Sequence, residues 1–128
     1  MILEFKFRNF RSAKDWQILS FEASADKISE EYYCTTINDT KVLKLGILYG
    51  ANASGKTNVL LALDFIRKIA ISPKINKMQP IGFTPFLLDD TTKKECGVFE
   101  LTFFVNNMKH IYYLEVDNSA VLKETLKY

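Results

Sequence analysis

Apolar and polar residues alternate near the N-terminus of the chain. In ILEFKFR (2–8), every second residue from Leu3 to Phe7 is apolar, and the residues between them are charged. The segment NFRSAKD (9–15) interrupts this pattern with polar turn formers, and WQILSFE (16–22) resumes it. A period of two is typical of half-buried strands. We therefore predict two antiparallel strands joined by a short turn.

The middle of the chain has a different pattern. VLKLGILY (42–49) is apolar at nearly every position, as in a strand that is covered on both faces within a parallel sheet. TNVLLALDFIRKIAI (57–71) combines good helix formers with apolar side chains on most faces, which predicts a largely buried helix. Ser72 and Pro73 would end this helix, because proline disrupts a helix interior.

The remaining segments predict shorter or irregular structure. A short strand is expected around EYYCTTI (31–37), whereas residues 72–97 hold all three prolines and two of the five glycines and predict an irregular segment. VFELTFFV (98–105) and KHIYYLEVD (109–117) flank NNM, which predicts a hairpin with asparagine at the turn. SAVLKETLKY (119–128) predicts a further strand or helix. Together these elements indicate an α/β fold.

The break between the predicted strand and helix carries a chemical motif. GANASGKT (50–57) satisfies G-x-x-x-x-G-K-[ST], the phosphate-binding P-loop, in the strand-to-helix context that the motif requires. Gly50 and Gly55 permit backbone torsions and a close approach that a Cβ would obstruct. The N–H groups from about Ala53 to Asn58 would point at an anion, reinforced by the positive end of the helix dipole. The alternative is a glycine-rich turn with an exposed lysine.

Two side chains of the motif indicate that the bound phosphate belongs to a nucleotide with Mg²⁺. Lys56 would reach the β- and γ-phosphates of a nucleotide as a point charge, and the Thr57 hydroxyl would join the coordination shell of Mg²⁺. We therefore expect ATP and Mg²⁺ as cofactors, with Thr57 as the metal ligand. The candidate nucleotide-binding residues are Gly50, Ala51, Asn52, Ala53, Ser54, Gly55, Lys56, Thr57 and Asn58.

The loop also carries a family resemblance. GANASGKTN (50–58) resembles the GxNxSGKSN form of ABC-type ATPases, which include RecF, SMC and break-repair ATPases and the OLD-like ATPases of antiphage and abortive-infection systems. Residues 2–24 are similar to the first hairpin of that clan. Residues 43–68, and PFLLDD followed by residues 99–117, look closest to the OLD-like and abortive-infection group. Thr57 stands where serine is commoner, and either residue supplies the hydroxyl.

The resemblance implies the nucleotide-binding first lobe of an ABC-type head. That lobe would have a mixed sheet with N-terminal and C-terminal antiparallel hairpins and one main P-loop helix, incomplete without its second lobe. In the clan the turn that matches Asn9–Ser12 approaches the nucleotide, so Arg11 is a candidate for a phosphate or ribose contact. Alternatively, Arg11 caps a solvated turn. The implied role is in DNA maintenance or phage defence, with two heads pairing as a homodimer.

Other catalytic parts of an ABC-type ATPase have no clear counterpart. PFLLDD (85–90) is nearest to a Walker B strand but lacks the following glutamate, so Asp89 is a weak candidate for a magnesium ligand. Glu115 and His110 fit ordinary positions in a hairpin strand, and Gln79 precedes the position of a Q-loop glutamine. We expect residues 1–128 to be a single partial domain of a longer ATPase. The second lobe would lie on the same or a separate chain, and the isolated chain would bind ATP weakly and hydrolyse it negligibly.

Two other functions are consistent with the motif. A stand-alone GTPase needs an NKxD motif to recognise the guanine base, but NKMQ (76–79) has Gln79 in place of the aspartate. A small kinase needs an arginine-bearing lid over the phosphates, but no arginine follows Arg67. A non-hydrolysing binding or assembly module is the stronger alternative. It would recruit a partner through exposed apolar surface.

Charge and cysteine usage limit the other partners. A net charge of +2 and scattered lysines do not indicate nucleic-acid binding, so a nucleic acid or nuclease effector would not be reached through this chain. Cys34 and Cys96 form no CxxC pair and predict reduced thiols. The apolar runs are too short to span a membrane and the N-terminus has no signal-peptide core, so we expect a cytoplasmic protein without a membrane partner.

Overall fold

A five-stranded antiparallel sheet forms the centre of the computed structural model, which describes residues 1–24, 30–71 and 81–128. Its strands lie in the order β2-β1-β5-β6-β7, and a separate hairpin pairs β3 with β4. The elements are β1 (Ile2–Arg8), β2 (Gln17–Ser20), α1 (Glu30–Tyr33), β3 (Cys34–Ile37), β4 (Thr40–Leu43), α2 (Lys56–Ile71), β5 (Gly97–Val105), β6 (Met108–Val116) and β7 (Val121–Lys127).

The register of the sheet puts most of its apolar residues on one face. Phe7 lies opposite Phe99, which in turn lies opposite Leu114, and all three side chains are buried. The other face carries charged residues, and Lys6 lies 2.7 Å from Glu4 in an ion pair there. The alternation along residues 2–8 predicted correctly that Leu3, Phe5 and Phe7 are buried, because side chains in a strand alternate between faces. Leu3, however, lies at a register shift between Ile2 and Glu4 and packs in a second cluster with Val42 and Phe104.

Helix α2 covers the apolar face of the sheet. Ala62, Phe65 and Ile66 are buried in the same cluster as the sheet phenylalanines. The prediction of a helix is confirmed, but the helix is amphipathic rather than largely buried, since Leu60 and Ile71 are exposed. Its described part ends at Ile71, and the predicted stop at Ser72 and Pro73 lies outside the described residues.

Both predicted antiparallel hairpins are confirmed. β1 pairs with β2, and β5 pairs with β6 across Asn106 and Asn107. These two asparagines have φ values of 49° and 61°, the left-handed conformation that a two-residue hairpin turn requires. The C-terminal segment, left open between strand and helix, forms the strand β7.

The predicted buried strand over residues 42–49 is wrong. Regular structure ends at Leu43, where β4 closes an antiparallel hairpin with β3, and residues 45–50 form no strand. Ile47 and Tyr49 are 76% and 91% exposed. All strand pairs among the described residues are antiparallel, so the mixed sheet is wrong there as well. An apolar segment becomes a strand only where a neighbouring strand accepts its backbone hydrogen bonds, and none of the described strands pairs with residues 45–50.

The connection before β5 is irregular, as its prolines and glycines predicted. Residues 81–96 contain only one turn of 3₁₀ helix, Thr92–Lys94. The predicted short strand around 31–37 is present as β3, preceded by the single turn α1. Both cysteines are free thiols. No helix in the described ranges is long and apolar enough to cross a membrane.

Candidate functional site

The glycine motif forms a loop that enters α2 at its first turn. Gly50 and Gly55 have φ values of 154° and 90°, and Ala53 has a φ of 64°. A Cβ at Gly50 would lie 3.2 Å from the Ser54 hydroxyl oxygen. Both glycines therefore have backbone conformations that suit a residue without a side chain, and at Gly50 the space is restricted as well.

The free N–H groups of the loop lie where the helix begins. Within the described parts of the chain, no acceptor receives the N–H groups of Gly55, Lys56 or Thr57. The N–H of Asn58 differs from the expectation, because it donates to the Gly55 carbonyl at 2.9 Å. The N–H of Ser54 donates to Ala51 at 3.3 Å. The groups available to an anion are thus those at the positive end of the α2 dipole.

The Lys56 ammonium group lies inside the loop. Its Nζ donates to the carbonyls of Gly50 and Ala51 at 2.7 and 2.5 Å, and lies 3.3 Å from the Ser54 hydroxyl. Thr57, the next residue, is exposed at the first turn of α2. A cation, a hydroxyl and unpaired N–H groups are therefore concentrated within one turn, a donor set that fits a phosphate and its Mg²⁺ ion.

Two open cavities flank the loop. The first, of about 490 Å³, is lined by Arg11, Ser12 and residues 52–58 and 61. The second, of about 530 Å³, lies against the first hairpin, where Phe7 and Gln17 contribute to its lining. The structure therefore brings the Asn9–Ser12 turn next to the P-loop, although the two segments are far apart in sequence.

No carboxylate among the described residues lines either cavity. Asp89 instead pairs with Lys14 at 2.5 Å and accepts a hydrogen bond from the Thr91 N–H at 2.9 Å. The bond from Lys14, followed by those from Thr91, holds the pKa of Asp89 well below its ordinary value. Asp89 thus has its own partners away from the loop, and no cluster of metal-ligating side chains occurs in the described ranges.

Two of the remaining candidates, Glu115 and His110, lie in the sheet. Glu115 accepts a hydrogen bond from Tyr113, and the His110 ring stacks on Phe103 at 5.3 Å. Both residues belong to β6, in agreement with an ordinary strand role. Gln79, and with it the NKMQ segment, lies outside the described residues.

Sequence reasoning missed the role of one loop residue. The side chain of Asn58 is buried, and its Nδ2 donates to the Phe10 carbonyl at 3.1 Å. The signal available in the sequence was an amide side chain on the otherwise apolar face of the helix. Its partner, the turn that contains Asn9 and Phe10, lies far from it along the chain. Only the fold shows that the two segments meet.

A known protein family matches the part of the chain that contains most of this site. The family described as "AAA domain, putative AbiEii toxin, Type IV TA system" matches residues 46–127, well over half of the chain. The match takes in the glycine loop, α2 and the strands β5, β6 and β7. No curated protein and no solved structure matches the chain.

Proposed function

The chain belongs to this family of AAA domains, and we propose that it binds ATP with Mg²⁺ through residues 50–58. The observation that carries the proposal is the first turn of α2, where unpaired N–H groups, the Lys56 ammonium and the Thr57 hydroxyl converge. Lys56 would exchange its carbonyl partners for phosphate oxygens, and Arg11 would add a second cation across the cavity.

Binding without hydrolysis is the expected activity of this chain. Positioning and charge neutralisation require only the groups described above, whereas hydrolysis also requires a group that orients the attacking water. No carboxylate of the described residues lines the cavities beside the loop. We propose that a second lobe and a second head, in a homodimer, supply the missing groups.

The biological role that we propose is a nucleotide-dependent switch in phage defence. The family description names a putative AbiEii toxin of a toxin–antitoxin system, and residues 43–68, with PFLLDD and residues 99–117, resemble most closely the OLD-like and abortive-infection ATPases. Both observations support defence over DNA repair, in which related ATPases also act.

Calorimetric titration with Mg²⁺–ATP tests the proposal. Lys56→Ala should weaken binding at least about tenfold, because it removes a charge-assisted contact to phosphate. Thr57→Ala should reduce the dependence of binding on Mg²⁺. Lys68→Ala is a matched control, since Lys68 lies near the other end of α2 and pairs with Asp64 at 2.6 Å; its Kd should equal that of the wild type. Equal binding by the wild type and Lys56→Ala would contradict the proposal.

The same preparations test hydrolysis. Phosphate release by the purified chain should stay at background and should not change in Lys56→Ala. Turnover well above background that disappears in Lys56→Ala would show that this chain holds a complete catalytic site.

Exposed apolar residues support a second function, a non-hydrolysing assembly module. Leu45, Ile47 and Tyr49 precede the loop, and all three are exposed. Such surface favours a bound partner. The two functions differ in their dependence on ATP, because an assembly module would bind its partner equally well when Lys56 is replaced.

A further inference from the structure

The turn between β1 and β2 has an unfavourable backbone conformation. Asn9 and Arg11 have φ values of 50° and 54°, in the left-handed region that residues with a Cβ rarely adopt. Two hydrogen bonds between Phe10 and Ala13, of 2.9 and 3.0 Å, close the turn. A conformation of this kind persists only when surrounding contacts hold it.

The peptide group between Phe10 and Arg11 is held from both sides. Its carbonyl accepts a hydrogen bond from Asn58 Nδ2 at 3.1 Å, and its N–H donates to the Thr84 carbonyl at 2.8 Å. Rotation of this peptide plane would break both bonds, together with the bond that the Phe10 carbonyl accepts from the Ala13 N–H within the turn. The direction in which Arg11 leaves the backbone is therefore set by contacts from outside the turn as well as by the turn itself.

Asn58 links this peptide to the end of the glycine loop. It follows Thr57 in the first turn of α2, and the residue is only 8% exposed. A buried amide that lost its acceptor would leave an unsatisfied donor. The bond to Phe10 is thus a fixed connection between the helix end and the turn.

Arg11 itself is available to a ligand. Its guanidinium lies 5.7 Å from the centre of the Phe10 ring, and no carboxylate within the described ranges forms an ion pair with it. It is exposed and lines the same cavity as residues 52–58. An anion held by the loop therefore lies on the side that Arg11 faces.

We propose that Asn58 is a positioning residue: it holds the Phe10–Arg11 peptide so that Arg11 contacts the phosphate or ribose of the bound nucleotide. This inference rests on the proposed function, since Arg11 has a nucleotide to contact only if the loop binds one. Asn58 acts through Arg11 and makes no contact with the ligand through its own side chain. Its effect on affinity therefore requires Arg11.

A double-mutant cycle on Mg²⁺–ATP affinity tests this dependence. Arg11→Ala should weaken binding about tenfold, because it removes a charge-assisted contact, and Asn58→Ala should weaken it about threefold. In the Arg11→Ala background, Asn58→Ala should change the Kd by less than about 1.5-fold, because coupled residues are not additive. Additive effects, or an unchanged Kd for Arg11→Ala, would overturn the inference.

Controls separate positioning from loss of stability and from failure of the proposed function. Ile66→Val removes a buried methylene from the same helix and leaves the hydrogen bonds of the turn intact, and its Kd should not change. A Kd change equal to that of Asn58→Ala would indicate a merely structural effect. If Asn58→Ala does not fold, Asn58→Ser replaces it, because its shorter side chain fills part of the space but cannot reach Phe10. Wild-type binding that does not need Lys56 would reject the proposed function, whereas Lys56-dependent binding without coupling would reject only this inference.

Discussion

At the scale of the residue, Asn9 explains how the first turn is built. Its side chain is buried, and its Nδ2 donates to the carbonyls of Thr92 and Glu95 at 2.8 and 2.9 Å. Its Oδ1 accepts a hydrogen bond from the Phe86 N–H at 2.9 Å. Asparagine also tolerates the left-handed conformation better than most residues. One side chain therefore ties the first turn to the irregular segment before β5.

Replacing Asn9 should be strongly destabilising. Asn9→Ala removes these hydrogen bonds, leaves buried backbone groups unpaired and places alanine at a φ of 50°. We expect a loss of about 3 kcal/mol or more in the free energy of unfolding by urea. Asn106→Ala is the matched control, because Asn106 has a φ of 49° but is exposed in a hairpin turn. It should lose only about 1 kcal/mol, and equal losses in the two variants would contradict the role given to Asn9.

The ion pair between Lys14 and Asp89 should make the free energy of unfolding depend on pH in the acidic range. The pKa of Asp89 is lowered in the folded chain, chiefly by Lys14 and then by Thr91. Below about pH 4 the unfolded chain therefore takes up this proton before the folded chain does. The stabilisation is present above that pH and is lost as the pH falls toward the folded pKa.

Urea unfolding between neutral pH and pH 2 measures this effect. Asp89→Asn should be less sensitive to acid than the wild type, and Lys14→Met should reduce the sensitivity in the same direction because it removes the main cause of the shift. Parallel pH profiles for the wild type and both variants would show that the pair is not formed in solution.

At the scale of the element, the segment before β5 packs against the sheet without regular structure. Phe83 belongs to the buried cluster, where its ring centre lies 6.3 Å from that of Phe10. It reaches the first residue of β5, since a Cβ built on Gly97 would lie 2.2 Å from its ring. The glycine is therefore required by a close approach, although its φ is not in the left-handed region.

Gly97→Ala should destabilise the fold by overpacking. We expect a loss of about 1–3 kcal/mol in the free energy of unfolding, because the Phe83 ring must move out of a filled core. The double variant Gly97→Ala/Phe83→Leu should lose less than the sum of the two single variants, since the smaller side chain makes room for the methyl group. Additive losses would mean that Phe83 does not cover Gly97.

At the scale of the whole molecule, burial is uneven. One face of the sheet is covered by α2, and a second small cluster joins Leu3, Val42 and Phe104 beneath the β3–β4 hairpin. Leu45, Ile47 and Leu60 remain exposed. Exposed apolar side chains of this size favour association.

The isolated chain should therefore self-associate at micromolar concentrations. In sedimentation velocity, the double variant Ile47→Ser/Leu60→Ser should shift the distribution toward monomer without lowering the free energy of unfolding, because both side chains are already exposed. Val105→Ser is the control, since Val105 is an exposed apolar residue at the end of a hairpin strand. A monodisperse wild-type monomer would contradict this prediction and would favour the assembly module.

The local elements could be predicted from the sequence wherever a local cause determines them. Strand alternation identified β1, β5 and β6, and the paired asparagines identified the turn between the last two. The P-loop motif predicted the start of α2 within one residue. In each case the pattern and the structure share one physical origin, either side-chain periodicity or the conformational preference of a few residues.

Only the tertiary structure decided which segments of the chain lie next to each other. The apolar segment 42–49 has the composition of a buried strand but remains exposed over 45–49, because a strand depends on a neighbour that local sequence cannot supply. The packing of α2 on the sheet brings the first turn next to the glycine loop, and Asn58 joins the two. The sequence by itself determined the glycine-loop motif, on which the proposed phosphate binding rests, since the motif needs one short run of residues. The fold decided which distant side chains face the loop, since their meeting depends on long-range packing.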